Sequence, residues 1–331
     1  MQSIGFFNNK GGVGKTTLLC NLAASLALNS QKKILILDAD PQCNASAYLL
    51  PDETLNEVLL DESIFNIDSF YDSIRKGQGY SETKPSIIKS ERFGVDVIVG
   101  SPKLSLREDL IATDWVATKN GDPRGFQTTF AIKELLSRFD SYDYVFIDMG
   151  PSLGALNRSI LLSIDYFLMP LSVDIFSLMA INNIISSFKS WRDSINQAIA
   201  NYSKSEGTNF SINGTEVGWN IKFLGYVTQQ YTAKKNKDGE RLPVAAFEKI
   251  IAKQKAELKN LADFFVVPYE DLDMGYVPTL SSVIPLSQQA HAPVFELGAG
   301  DGIVGAHYTR VTEAGEFFHS IAASFNGKVS Q

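Results

Sequence analysis

The chain alternates short, continuous apolar runs with longer stretches in which apolar residues recur at helical spacing. Residues 4–7 form the first run, and Leu18, Leu19, Leu22, Leu26 and Ala27 predict a helix over 14–28. Further mainly apolar runs at 33–37, 94–99, 144–147, 166–169 and 221–227 predict strands. Amphipathic spacing predicts helices over 130–139, 176–199, 244–261 and within 304–325. Residues 264–267 and 282–284 read as short strands, and the turn formers of 118–126 as a loop. Strands that are apolar on both faces and separated by helices belong to parallel sheets covered on both sides. The expected fold is therefore α/β, a doubly wound, mostly parallel β-sheet flanked by helices.

Composition narrows the picture only slightly. With 331 residues and 44% hydrophobic content, the chain can bury a large core. We expect one domain over 1–331, with polar insertions near 51–92, 200–219 and 268–281. A net charge of −7 argues against a uniformly basic nucleic-acid binder, though not against a local basic patch. The two cysteines, Cys20 and Cys43, form no Cys-x-x-Cys pair, so no zinc or iron–sulfur site is expected. Met1-Gln2-Ser3 leads straight into the first strand, and no apolar run is long enough to span a bilayer. Those features predict a cytoplasmic protein without membrane attachment.

The chemistry is concentrated after the first strand. Lys10-Gly11-Gly12-Val13-Gly14-Lys15-Thr16-Thr17 is a glycine-rich turn entering a helix. Such a turn lets backbone N–H groups approach phosphate oxygens, and the helix N-terminus adds partial positive charge. Lys15 is expected on the β- and γ-phosphates and the Thr16 hydroxyl on Mg²⁺. Gly11, Gly12, Val13, Gly14 and Thr17 complete the cradle. Asn9 occupies the position where the usual pattern opens with glycine, and Lys10 adds a second lysine that one nucleotide does not require.

Acidic residues end two of the apolar strands. Asp38 and Asp40 flank Ala39, and Asp148 follows 144–147. Ligands of open α/β sheets bind beyond the carboxyl ends of the strands. Asp38 and Asp148 are thus expected at the metal, by way of a coordinated water, and Asp40 at the water that attacks the γ-phosphate.

These segments together resemble the ParA/MinD ATPases. Residues 9–17 resemble their deviant Walker A loop, Asp38-Ala39-Asp40-Pro41-Gln42-Cys43-Asn44 their switch I, and Asp148-Met149-Gly150-Pro151-Ser152-Leu153-Gly154 their Walker B and switch II. Met169-Pro170-Leu171-Ser172 with Phe176-Ser177-Leu178, and Ile284-Pro285 with Ala292-Pro293-Val294, are similar to later family segments in the same order. The resemblance implies a P-loop ATPase that binds ATP and Mg²⁺ and forms a nucleotide-sandwich homodimer. In that dimer Lys10 would reach the partner's phosphates, because no task for it is evident within one protomer. It also implies slow hydrolysis, stimulated by a ParB-like or other partner, in the service of positioning DNA or another cargo. Leu286 stands where many small ParA proteins carry a basic residue, and only nine residues precede the loop, so no helix-turn-helix is expected ahead of it.

Non-specific DNA binding would use the basic stretch 234–259. There Lys234, Lys235, Lys237 and Arg241 are the expected contacts, giving a salt-sensitive affinity and a nucleoid-associated protein. The tail, with Lys328 against Glu313 and Glu316, lacks the basic amphipathic character of a membrane anchor. Two other functions compete: an ATP-gated regulatory subunit of a larger complex, and a P-loop metabolic enzyme or kinase.

Overall fold

The computed structural model describes residues 1–231, 233–235, 241–243 and 245–329, without the side chains of 230–249. The strands are β1 (Gln2–Phe6), β2 (Ile34–Asp38), β3 (Ile88–Ser90), β4 (Val95–Ile98), β5 (Tyr144–Asp148), β6 (Tyr166–Ser172), β7 (Ser211–Ile212), β8 (Thr215–Glu216), β9 (Lys222–Tyr231), β10 (Ala233–Lys235), β11 (Arg241–Pro243) and β12 (Asp273–Pro278). Eight of them form one sheet in the order β12-β9-β6-β1-β5-β2-β4-β3. All its pairings are parallel except that of the edge strand β3 with β4. The fold is the expected doubly wound, mostly parallel sheet with helices on both faces.

The central strands β2 and β5 are buried along their whole length, which their continuous apolar composition requires. One face packs Phe6, Phe146 and Leu168 against the helices Lys15–Ser30 and His307–Val329. The other packs Val145, Ile147 and Phe167 against Ala155–Ser163, Ile175–Glu206 and Ala245–Phe265. The C-terminal helix turns Val311, Phe318, Ile321 and Phe325 into the core. Among the described residues no helix is long and apolar enough to cross a membrane.

Three expected elements differ. Phe264 and Phe265 belong to the end of the helix Ala245–Phe265, where Phe264 meets Trp219 edge-on and Phe265 stacks against it. Residues 282–284 lead into the short helix Ile284–Gln289. The last sheet strand is instead β12, inside the segment expected as an insertion. The expected loop at 118–126 is a helix junction. Asp122 caps the helix Pro123–Thr129 by accepting from Gly125 N at 3.0 Å.

Candidate functional site

β1 lies between β6 and β5, and the connections leaving these strands run to opposite sides of the sheet. The loop after β1 therefore sits at the reversal of strand order, where open α/β sheets bind ligands. Gly12 and Gly14 have φ of 72° and 77°, the left-handed region that glycine enters at little cost. A Cβ on Gly14 would also lie 3.0 Å from Gln229 Oε1. The turn so formed aims the start of the helix Lys15–Ser30 into a cavity of about 410 Å³. Gly11, Gly12, Val13, Gly14, Lys15, Thr16 and Thr17 all line it. The expected cradle is thus one continuous wall.

Lys15 is 8% exposed, and its Nζ donates to Lys10 O at 3.4 Å. Burial lowers its pKa, and the charges of Asp148 and Asp40 oppose that shift. Asp40 lines the cavity, with Oδ1 accepting from Gln42 N at 3.0 Å. Opposite it lies Gly150, where a Cβ would stand 3.5 Å from Asp40 Oδ1.

Asp38 and Asp148 are register partners at the ends of β2 and β5, and neither is exposed. Burial pushes the Asp148 carboxyl up to about 8, reinforced by Asp38 and opposed by the Thr16 hydrogen bond. Burial likewise pushes Asp38 up to about 6, opposed by Ser46. Thr16 Oγ1 donates to Asp148 Oδ2 at 2.7 Å, while Asp148 Oδ1 is buried without a partner. A buried carboxylate oxygen left unpaired is costly and marks a place where a cation fits. Hard oxygen donors from Thr16 and Asp148 suit Mg²⁺, which keeps several waters and takes substrate oxygens as further ligands. No group of three or more His, Cys, Asp or Glu among the described residues could hold a metal by itself. Asp38 stands further back. Its Oδ2 accepts from Ser46 N and Oγ at 2.8 and 2.6 Å, and its Oδ1 from Asp40 N at 3.3 Å. These bonds tie the strand end to the helix Asn44–Leu49.

Lys10 behaves differently from expectation, because it does have a partner within its own chain. Its Nζ pairs with Asp174 Oδ2 and lies 2.9 Å from Ser172 Oγ. Asp174 also caps the helix Ile175–Glu206, accepting from Phe176 N and Ser177 N at 2.9 Å each. The ion pair spans 164 positions of sequence, so no local pattern could have revealed it.

Gln42, Asn44 and Pro151, from the segments that resemble switch I and switch II, line the same cavity, and so do Tyr48 and Gln288, which sequence reasoning missed. Tyr48 OH lies 2.6 Å from Ser287 Oγ and accepts from Asn21 Nδ2 at 3.1 Å, joining the helix Asn44–Leu49 to the short helix Ile284–Gln289. The expected DNA contacts escape comparison. Lys234, Lys235 and Arg241 have a described backbone, the antiparallel pair β10–β11, but their side chains lie outside the described residues. Lys237 lies outside them altogether. Further along, Lys253, Lys255 and Lys259 are exposed while Gln254 and Leu258 are buried, as an amphipathic helix requires.

The family model AAA_31, an AAA domain, matches residues 1–201. A virulence plasmid ParA family protein of Chlamydia psittaci is 30% identical over 188 residues, 56% of this chain and 62% of its own length. The chromosome partitioning protein ParA of Myxococcus xanthus is 31% identical over 177 residues, 54% of each chain. The chain thus spans a little over half the length of these relatives. A crystal structure of a Corynebacterium diphtheriae protein aligns with TM-score 0.70 and 29% identity, covering 88% of this chain and 97% of that one. The Cyanothece McdA–ATP complex aligns at 0.64 and 14% identity, covering 98% and 96%. The ParA of pNOB8 bound to nonspecific DNA aligns at 0.56 and 19%, covering 99% and 98%. The last two share the fold.

Proposed function

Because the chain belongs to the AAA_31 family as a ParA-type P-loop ATPase, we infer that it binds Mg²⁺–ATP, dimerises in that state, and hydrolyses ATP to ADP and phosphate to position DNA or another cargo. The observation that carries this reading is the Thr16–Asp148 hydrogen bond beneath the glycine loop, with the second Asp148 oxygen left unpaired.

Each side chain has a task in that scheme. The backbone N–H groups of 11–17 and the buried Lys15 ammonium would hold the phosphates, charge-assisted contacts being roughly twice as strong as neutral ones. Thr16 and Asp148 would hold Mg²⁺, which neutralises phosphate charge when bound. Asp38 anchors the switch I helix through Ser46 and keeps Asp40 at the cavity wall. Asp40 would orient the water that attacks the γ-phosphorus. Lys10, once released from Asp174, would serve the partner's phosphates. The neighbours solved with ATP and with nonspecific DNA support the nucleotide and DNA parts of the reading. We treat 1–331 as one ATPase domain, with 51–92 and 200–219 available to a stimulating protein of ParB type.

The test has two arms. Phosphate release is measured with Mg²⁺–ATP, and binding to an arbitrary DNA duplex is measured across a salt series. Hydrolysis together with ATP-dependent, salt-sensitive duplex binding supports the partition reading. Hydrolysis and dimerisation without duplex binding move the protein to an ATP-gated regulatory subunit. No nucleotide binding at all overturns both.

A further inference from the structure

Switch II, residues 148–154, is held at its far end by a residue outside every motif. Glu108 opens the helix Glu108–Lys119, and its carboxylate reaches the first turn of the helix Ala155–Ser163. Oε1 accepts from Ala155 N and Oε2 from Leu156 N at 3.0 Å. Those are two of the N–H groups that a helix start leaves without intrahelical partners, and a carboxylate there is also favoured by the positive end of the helix dipole. The approach is so close that a Cβ on Gly154 would collide with Glu108 Oε1. Glycine at that position therefore serves the contact.

Two more contacts fix the same loop. Asn157, 2% exposed, donates its Nδ2 to Gly150 O at 2.7 Å and to Ser152 O at 2.8 Å. On the outer helix, Trp115 stacks beneath Arg158, with the guanidinium carbon 4.4 Å from the ring centre. The helices beginning at Glu108 and Ala155 are thus tied at the start of each and again between Trp115, two turns along the first, and Arg158, in the first turn of the second. The loop they brace carries Gly150, which faces Asp40, and Pro151, which lines the nucleotide cavity and packs 3.9 Å from the Cβ position of Gly11.

We propose that Glu108 is a positioning residue for hydrolysis: by holding the Ala155 and Leu156 N–H groups it sets where Gly150 and Pro151 stand relative to Asp40. The proposal rests on the ATPase reading above. Glu108 itself does not line the cavity, so its loss leaves the Lys15 ammonium and the backbone N–H groups of 11–17 in the chain that holds the phosphates. What changes is the geometry around the attacking water, and misplacement of a reacting group weighs on turnover more than on binding.

The experiment compares wild type, Glu108→Ala and Glu108→Gln in the full chain, with phosphate release, ATP affinity by calorimetry, and amide hydrogen exchange over 148–160. Glu108→Ala should lower kcat about tenfold with KM within about twofold. Exchange at Ala155 and Leu156 should speed up about tenfold or more while the core strands stay protected. Glu108→Gln keeps one carbonyl acceptor and should recover kcat to within about threefold of wild type. Folded Glu108→Ala with unchanged kcat overturns the proposal. So does a parallel loss of kcat and ATP affinity that Gln fails to rescue, because that pattern belongs to a purely structural cap. Wild type that binds ATP but releases no phosphate overturns the ATPase reading, and the proposal with it.

Discussion

The Lys10 ammonium is paired with the Asp174 carboxylate of its own chain, beside Ser172 Oγ at 2.9 Å. A lysine that is to reach a second protomer must first leave this pair. The side chains are 25% and 33% exposed, so the pair is of the modest, solvent-screened kind, worth about 0.2–1 kcal/mol. Asp174→Asn keeps the oxygen that caps the helix Ile175–Glu206 and removes the charge that holds Lys10. Each protomer then gains about 1.4-fold to fivefold, and the ATP-bound dimer should tighten about 2- to 25-fold. Analytical ultracentrifugation over a protein dilution series with ATP reads this directly. An unchanged or weakened dimer would show that the pair does not restrain dimerisation.

The phosphate loop gives the plainest expectation for binding. Lys15→Ala removes the buried ammonium from the cavity wall, and charge-assisted hydrogen bonds contribute about 1.5–3 kcal/mol each. ATP affinity measured by calorimetry should fall about tenfold to a hundredfold. Wild-type affinity in a folded variant would contradict the assignment of residues 10–17.

A third expectation concerns acid stability far from the nucleotide. Arg92 donates to both oxygens of Asp301, at 2.7 and 3.0 Å, and also to Ala290 O, clamping the β3–β4 edge to the C-terminal segment. The Arg92 hydrogen bonds hold the Asp301 carboxyl below its usual range. A depressed pKa means that this stabilisation is fully present above the unfolded carboxyl's pKa, about 3.9, and is lost as pH falls through the folded value. Asp301→Asn should therefore lower the melting temperature by about a degree at pH 7, and by progressively less toward pH 3. Thermal melts at a series of pH values check it. An equal loss at every pH would assign the effect to packing.

Much of the site was legible because its chemistry is local. The glycine loop, the two aspartates of switch I and Asp148 each lie within a few residues of an apolar strand, and strand ends fix where side chains emerge. β12 was hidden because Asp273-Met274-Gly275-Tyr276-Val277-Pro278 breaks its apolar pattern with an acid, a glycine and a proline, which an edge strand tolerates. The run Phe264-Phe265 misled in the opposite sense, since a helix end covered by Trp219 is as apolar as a strand. Lys10–Asp174 and Glu108–Ala155 join residues far apart in sequence through side chains of ordinary type, and only folding brings them together.

In the proposed cycle Lys10 joins two ATP-bound protomers while Asp40 serves hydrolysis. Asp40→Ala should keep ATP binding and slow phosphate release about a hundredfold or more, the usual weight of a positioned proton acceptor. That background accumulates the ATP dimer, so the decisive measurement is sedimentation of Asp40→Ala with ATP, with and without Lys10→Ala. A dimer is expected for the single variant and a nucleotide-bound monomer for the double variant. A double variant that dimerises fully would contradict that cycle, and would leave Lys10 with only the partner it has in its own chain.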